Sequence, residues 1–250
     1  MEWIYGRNVV LLALVSGARR RAHRLAATPS ALKALRPLLP PGLPVETVDT
    51  RALDELTGSR DHQGAALQVD AFAYAPVDEV LVAEIVVVLD EVSDPRNLGA
   101  TARSALAAGA GGLVVPKHRS ASVTPAAVKA SAGTIEHLPV AQVTNVVSFL
   151  KAAKEAGSWV YGAAGEVGSS YLDLDLSGRL VLVFGAEGRG LRPLVARTCD
   201  ALAAIPVERP VESLNVSVAA ALFLFEARRQ RSAAGPTGRA AQGGRSRGGA

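Results

Sequence analysis

The first segment with residues suited to chemistry is DEVSDPRNLGATAR at positions 90–103, which contains Asn97 and Arg103. It follows a run of apolar, mostly β-branched residues at 85–89 and opens a segment rich in helix-forming residues. Backbone amides at the start of a helix attract anions, and the small residues around Arg103 leave its guanidinium accessible. Taken singly, Asn97 is better explained as a helix cap and Arg103 as a solvated helix residue.

The second segment is the glycine-rich loop GAEGRG at 185–190, which carries Glu187 and follows the apolar run 180–184. Glycines at the end of a strand let the backbone approach a ligand closely. The spacing is not that of a dinucleotide-binding dehydrogenase, and no Lys-Ser or Lys-Thr pair completes a P-loop. Two interpretations remain for the loop itself, a ligand contact or a tight turn in which Glu187 caps the next helix.

The third segment, residues 205–217, places Ser213 and Asn215 before the apolar run 218–225. Ser213 is predicted to cap a helix that ends near residue 230. Asparagine is a poor helix former, so a structural role for Asn215 inside this helix is not evident. A helix that is apolar on every side must be buried, either in the core or against another chain.

The segments around these three loops alternate between strand-like and helix-like patterns, which predicts an α/β sheet with ligands at the carboxyl ends of its strands. The predicted strands are residues 85–89, 113–115, 159–161, 180–184 and 202–205. The predicted helices are residues 98–108, 125–132, 143–156, 191–198 and 213–230, with Gly109 ending the first of them.

The rest of the chain divides into three further parts. Residues 1–75 form a small αβ domain, in which Thr28 starts a helix and Gly58 ends one. Residues 76–84 contain a proline and are predicted to be a linker to the main domain at 85–230. Residues 231–250 lack large apolar side chains and are predicted to be disordered.

Composition narrows the classes of protein further. The chain has a single cysteine, Cys199, so it cannot be a disulfide-rich scaffold. One cysteine also argues against a cysteine–zinc site. The lack of disulfides favours a cytoplasmic location. No apolar run is long enough to span a bilayer, so no membrane partner is expected. Residues 1–40 carry seven basic residues and one acidic residue, and residues 231–250 carry four basic residues and no acidic one. Clustered positive charge of this kind favours a nucleic-acid partner.

Together and in this order, NLGATAR, FGAEGRGL and IPVERPVESLNVSVAAALFLFEARRQ resemble three motifs of the SpoU (TrmH-type) RNA ribose 2′-O-methyltransferases of the SPOUT superfamily. The resemblance covers residues 85–230, and HQGAAL at 62–67 is similar to the small substrate-binding domain of the RlmB-like branch. It implies a C-terminal trefoil knot, S-adenosylmethionine as cofactor without a metal ion, and a homodimer whose active site is completed across the interface.

The resemblance also implies roles for individual residues. Arg103 is the essential catalytic residue, Asn97 and Asn215 orient Arg103 or the ribose, Glu187 holds the loop or pairs with Arg103, and Ser213 donates a hydrogen bond there. Arginine is normally always charged, which leaves open whether Arg103 accepts the hydroxyl proton or acts through its charge. The implied cofactor contacts are Thr134, Phe184, Gly185, Gly188, Ile205, Pro206, Ser213 and Leu214.

The resemblance favours a guanosine of 23S rRNA as the substrate. A tRNA ribose methyltransferase and a resistance methyltransferase that acts on another rRNA nucleotide are the enzyme alternatives. A non-catalytic RNA-binding module on the same scaffold is the alternative of a different class, and the intact set of polar motif residues argues against it.

Overall fold

The structure, a computed structural model, describes residues 1–165 and 167–233. The N-terminal part is a four-stranded sheet of order β1-β4-β2-β3, flanked by three helices. Its strands are β1 (Glu2–Tyr5), β2 (Ala22–Ala27), β3 (Val45–Thr47) and β4 (Ala65–Val69). Its helices are α1 (Arg7–Leu14), α2 (Pro29–Leu35) and α3 (Thr50–Thr57).

The second sheet has six parallel strands in the order β10-β8-β9-β5-β6-β7. Its strands are β5 (Ile85–Asp90), β6 (Gly112–Pro116), β7 (Val140–Val143), β8 (Trp159–Ala163), β9 (Leu180–Gly185) and β10 (Ala201–Ala203). Its helices are α4 (Val77–Leu81), α5 (Pro95–Ala108), α6 (Pro125–Ala130), α7 (Val146–Glu155), α8 (Pro193–Thr198) and α9 (Val216–Ala233). The predicted α/β class is confirmed, and the trefoil knot stays a prediction.

Two hydrophobic cores cover the two faces of this sheet, which explains the unbroken apolar strands. On β5, Ile85 and Leu89 belong to the core shared with α5, α6 and α9, whereas Val86 and Val88 belong to the core shared with α4, α7 and α8. The same alternation holds along β9. Within the described ranges, no helix is both long and apolar enough to cross a membrane.

Local signals at the ends of α5 place Asn97 beside the sheet. Asp94 caps the helix by accepting a hydrogen bond from the Arg96 amide at 2.8 Å, and Pro95 occupies the first helical position. The helix therefore begins three residues earlier than predicted, and Asn97 lies in its first turn instead of capping it. Gly109 ends the helix in the left-handed conformation, as predicted.

The two sheets share one continuous hydrophobic core, in which Leu25 and Leu67 of the N-terminal sheet join Leu98 of α5. Buried Arg20 crosses this boundary, and its Nε donates to Oε2 of fully buried Glu136 at 2.7 Å. Arg20 also bonds Glu2 of β1. The N-terminal part is therefore packed against the six-stranded sheet through apolar and ionic contacts.

The predicted linker at 76–84 is not an irregular connection, because it contains helix α4. Pro76 precedes the helix, and Asp78 and Glu79 lie in its first turn, where the helix dipole favours acidic side chains. Val80 is fully buried against the sheet. Arg19 of the N-terminal part binds Glu79 through two hydrogen bonds of 2.6 and 3.1 Å, which fixes the connection further.

Two other elements differ from the prediction. The helix predicted from residue 143 begins at Val146 because the Asn145 side chain caps it, and Val140–Val143 form an edge strand instead. The last helix continues to Ala233, so the first three residues of the predicted disordered tail are helical. The remainder of that tail, residues 234–250, lies outside the described residues.

Replacing Arg20 with methionine should destabilise the fold strongly. The substitution leaves the fully buried Glu136 carboxylate without its cation, and breaking a buried ion pair in this way costs about 3 kcal/mol or more. Urea unfolding would measure the loss. The neighbouring Arg21 is exposed, so Arg21→Met is the matched control and should change stability by less than about 0.5 kcal/mol. Equal stability of the two variants would contradict the proposed importance of the ion pair.

Candidate active site

The three polar segments meet at the carboxyl ends of β5 and β9, which pair in register from Ile85 with Leu180 to Asp90 with Gly185. Helix α5 follows β5 on one face of the sheet, and α8 follows β9 on the other. The helices that follow these two neighbouring strands therefore lie on opposite faces of the sheet. A crevice at such a switch point is the usual ligand site of a parallel sheet.

A buried carboxylate lies beneath this crevice. Asp90, at the end of β5, is 1% exposed and accepts hydrogen bonds from Nε of Arg192 at 2.9 Å and from the Arg192 amide at 3.2 Å. The hydrogen bond with Asp90 raises the pKa of the Arg192 guanidinium. This pair joins the end of the glycine-rich loop to β5. Neither Asp90 nor Arg192 was among the predicted site residues, although a carboxylate that ends a wholly apolar strand is a detectable signal.

Glu91 extends this network to the loop after β6. Its Oε1 lies 3.0 Å from Nη2 of Arg119 and 3.5 Å from Nη1 of Arg192. Glu91 has a φ of 61°, which is unusual for a residue other than glycine. Glu91 follows β5, Arg119 lies in the loop after β6, and Arg192 follows the glycine-rich loop. Their ionic contacts join these three segments at the floor of the crevice.

The glycine-rich loop folds back on itself. A Cβ at Gly185 would lie 2.1 Å from the carbonyl carbon of Gly190, so no other residue fits without moving the loop. The Gly190 amide donates to the Ala186 carbonyl at 2.8 Å, and Gly188 has a φ of 76°. The chain's own backbone therefore requires these glycines, in addition to any contact with a ligand.

Hydrogen bonds join one side chain from each of the three motifs. Oε1 of Glu187 accepts from Nδ2 of Asn97 at 3.0 Å and from Nδ2 of Asn215 at 2.6 Å. The Asn215 Nδ2 also donates to Oδ1 of Asn97 at 2.9 Å. Glu187 and Asn215 are exposed and Asn97 is half-buried, so the cluster faces solvent and is accessible to a substrate.

Asn215 takes part in this cluster and also caps the N-terminus of α9. Its Oδ1 accepts from the Ser217 amide at 2.9 Å and from the Ser217 hydroxyl at 2.6 Å. The prediction that Ser213 caps this helix is therefore wrong, because the chain remains irregular until Val216. Ser213 is exposed, and its side chain makes no hydrogen bond within the described part of the chain.

Arg103 lies apart from the cluster. It is six residues beyond Asn97 on α5, which places the two side chains about 120° apart around the helix axis. Arg103 is exposed and, among residues 1–165 and 167–233, has no hydrogen bond or ion pair. Within one chain, Glu187 therefore binds the two amides and holds the loop, and it does not pair with Arg103.

Of the residues implied for cofactor binding, Phe184 and Gly185 end β9, Gly188 lies in the loop that follows, and Leu214 precedes Asn215, which binds Glu187 of that loop. Phe184 is buried and packs edge-to-face on Phe223, their ring centres 5.5 Å apart. Ile205 and Leu214 are half-buried, and in the described chain their backbone groups make no hydrogen bond, which leaves them available to a ligand. Pro206 follows Ile205 and is exposed.

Thr134 is a further residue implied for cofactor binding. It begins a short 3-10 helix, Thr134–Glu136, and its hydroxyl donates to the Ser131 carbonyl at 2.9 Å. No hydrogen bond between described residues joins Thr134 to the glycine-rich loop. Its role as a cofactor contact rests on the resemblance alone.

Two family profiles match the chain. The SpoU rRNA Methylase family matches residues 84–225, and the family described as RNA 2′-O ribose methyltransferase substrate binding matches residues 3–75. The first match contains β5 to most of α9, and the second contains the N-terminal sheet.

Individual relatives agree with this result. A 23S rRNA (guanosine-2′-O-)-methyltransferase RlmB of Xylella fastidiosa is 39% identical over 242 residues, which cover 92% of this chain and 97% of the relative. An uncharacterized tRNA/rRNA methyltransferase of Mycobacterium marinum is 40% identical over 240 residues, which cover 92% and 77% of the two chains.

Solved structures are similar over most of the chain. The SpoU methyltransferase AviRb of Streptomyces viridochromogenes, in complex with S-adenosylmethionine, has a TM-score of 0.76 at 26% identity and covers 92% of this chain and 90% of its own. An rRNA methyltransferase of Sinorhizobium meliloti, also bound to S-adenosylmethionine, has a TM-score of 0.72 at 28% identity and covers 91% and 87%. The resemblance seen in the three motifs is thus confirmed, and the chain belongs to the SpoU rRNA methylase family.

Proposed function

We propose that this protein transfers a methyl group from S-adenosylmethionine to the ribose 2′-hydroxyl of a guanosine in 23S rRNA. The observation that carries the proposal is the hydrogen-bonded cluster of Asn97, Glu187 and Asn215, which joins the three family motifs at the edge of the glycine-rich loop. S-adenosylmethionine supplies a methyl group on a positively charged sulfur, so the protein needs only to bind it, position the ribose and assist loss of the hydroxyl proton.

The N-terminal part favours rRNA over tRNA as the substrate. The Xylella fastidiosa RlmB matches nearly the whole of both chains, so it shares the N-terminal sheet with this protein. The TrmH/SpoU tRNA modifying enzyme of A. aeolicus covers 66% of this chain and leaves a third of it unmatched. Methylation of tRNA, or of a different rRNA nucleotide by a resistance enzyme, is the alternative that mapping of the methylated position would reveal.

The residues around the glycine-rich loop suit S-adenosylmethionine. The close turn at Gly185 exposes backbone beside the crevice, with Gly188 at its tip. The unbonded backbone groups of Ile205 and Leu214 provide donors and acceptors for an adenine edge, and apolar Pro206 follows Ile205 directly. We assign cofactor binding to these residues and, on the resemblance alone, to Thr134.

The polar side chains divide between positioning and proton transfer. Asn97 and Asn215 hold Glu187 in place, and Ser213 lies two residues before Asn215 with a free hydroxyl for the ribose. Arg103, which has no partner in the described part of its chain, is free to contact the RNA. Its charge binds a phosphate and makes the 2′-hydroxyl more acidic, or its guanidine accepts the proton directly.

We propose a homodimer formed through α9. One side of this helix is buried in the core, and the other exposes Val218 at 48%, Leu222 at 36% and Phe225 at 48%. These side chains line a groove of about 440 Å³ together with Tyr171. An isologous contact between two copies would cover this apolar face. Because the resemblance implies an active site completed across the interface, we place Arg103 of one subunit at the Glu187 cluster of the other.

The remaining assignments follow from this function. The N-terminal part, residues 1–75, binds RNA; residues 85–230 carry out methyl transfer, and 76–84 connect them. The basic segment 231–250 adds sequence-independent attraction to phosphates. A cytoplasmic location places the enzyme with its rRNA substrate.

Substitution of Gly185 with alanine should abolish S-adenosylmethionine binding without unfolding the protein. The added Cβ would lie 2.1 Å from the Gly190 carbonyl carbon and would force the loop open. Calorimetry should give micromolar binding for the unmodified chain, about −8 kcal/mol. Gly178→Ala is the control, since a Cβ there meets open space. If Gly185→Ala binds the cofactor as tightly as Gly178→Ala, the cofactor site lies elsewhere.

Replacing Arg103 with alanine should lower kcat for rRNA methylation by a factor of about 100 or more, because it removes the group that assists proton loss. Binding of S-adenosylmethionine should stay unchanged. The assay follows labelled methyl transfer into rRNA from a strain that lacks this gene, and maps the 2′-O-methyl position. Arg197 of α8 is exposed, and Arg197→Ala serves as the control. Full activity of Arg103→Ala would refute the assignment.

Mixing two inactive variants, Arg103→Ala and Glu187→Ala, should restore activity if the site spans the dimer. After joint unfolding and refolding, half of the dimers are mixed and each has one intact site, so about one quarter of the activity should return. Sedimentation confirms the dimer, and each variant refolded alone gives the baseline. A mixed dimer with baseline activity would show that each site lies within one chain.

A further inference from the structure

A polar cleft lies at the start of α1 in the N-terminal part. It has a volume of about 490 Å³ and is lined by Arg7, Asn8 and Gln63. Lys129 of α6, in the six-stranded part of the molecule, donates a hydrogen bond to Gln63 at the edge of this cleft. The methyl-transfer cluster uses none of these residues, so the cleft is available for a separate task.

Gly6 allows Lys129 to reach the start of α1. It occupies the N-cap position with a φ of 109° and has no side chain of its own to cap the helix. A Cβ at Gly6 would lie 2.5 Å from the Lys129 ammonium. A side chain at this position would therefore displace the ammonium, so the glycine keeps a cation at the positive end of the helix.

Gln63 holds the Lys129 ammonium in the cleft. Its Oε1 accepts from Lys129 Nζ at 3.1 Å and from the Arg7 amide at 3.1 Å. Gln63 has a φ of 52°, a costly conformation for a residue other than glycine. The turn around it is rigid, because buried His62 accepts from the Gly64 amide at 2.9 Å and pairs with Asp54 at 3.2 Å.

The positive charge in the cleft is only partly offset by the protein. Lys129 has a neutral amide as its partner, and among described residues neither Lys129 nor Arg7 forms an ion pair. Burial lowers the pKa of the Lys129 ammonium, and the nearby charge of Asp61 opposes this only in part. Two cations thus lie beside one polar cleft at the start of a helix, a combination that favours an anion.

We propose that this cleft binds a backbone phosphate of the RNA, an inference that rests on the proposed function. Arg7 and Gln63 come from the N-terminal part, and Lys129 comes from the methylase part, so the site is formed by both. Helix α6 also packs on α5, where a Cβ at Gly99 would lie 2.8 Å from that of Ala130. Only α5 therefore separates the phosphate contact on α6 from the active-site residue Asn97. The cleft would fix the distance along the RNA between this bound phosphate and the methylated ribose.

Replacing Lys129 with glutamine tests the cleft, because glutamine keeps an amide donor for Gln63 and removes the charge. We expect the Kd for a 23S rRNA transcript to rise about five- to tenfold at near-physiological salt, and the slope of log K against log salt to fall by about one. Arg7→Gln, at an exposed position, should have a similar effect. Lys33→Gln, at an exposed position of α2, is the matched control and should leave affinity and slope nearly unchanged.

The outcomes separate this inference from the proposed function. If Lys129→Gln and Arg7→Gln bind the transcript with unchanged affinity and salt slope, the cleft does not hold a phosphate. If both weaken binding while S-adenosylmethionine affinity and kcat at saturating RNA persist, the cleft is a binding site that takes no part in the chemistry. Absence of methyl transfer by the unmodified enzyme would instead refute the proposed function, and the affinity measurements would still decide the role of the cleft.

Discussion

The arrangement of the active site depends on the pairing of β5 with β9. The register aligns Asp90, the last residue of β5, with Gly185, the last residue of β9. Asp90 can therefore bind Arg192, which follows the glycine-rich loop after β9. Both strands are buried on both faces, and a slip by one residue would exchange the side chains between the two cores. The hydrophobic alternation of the strands thus fixes where the polar groups at their ends are located.

The site has two layers with different physical roles. The lower layer, Asp90 with Arg192, is buried and charged, and a partner lost from it would leave an uncompensated charge. The upper layer, Asn97, Glu187 and Asn215, is open to solvent and consists of weaker, exchangeable hydrogen bonds. The buried pair holds the loop in place, and the exposed amides and carboxylate remain free to rearrange around a substrate.

The N-terminal part packs against the methylase part through a shared hydrophobic core and through ion pairs. Arg20 and Glu136 meet across the boundary in a buried ion pair, and Arg19 binds Glu79 on α4. These contacts limit independent movement of the two parts, which a linker at 76–84 alone would not do. Under the proposed function, this packing would present an RNA bound by the N-terminal part to the crevice at a defined position.

The amino-acid sequence by itself determined the α/β class and the family, because buried strands, glycine helix ends such as Gly58 and Gly109, and the three motifs are local signals. Tertiary structure alone decided which polar groups meet. Asp90 and Arg192 are 102 residues apart, and no local pattern indicates that they bind each other. Asn215, and not Ser213, caps α9, and its amide is also bound by Glu187 and Asn97 from distant segments. The predicted linker contains helix α4, whose Val80 is buried against the sheet. Local propensity depends on neighbours along the chain, whereas these contacts depend on the register and packing of the whole sheet.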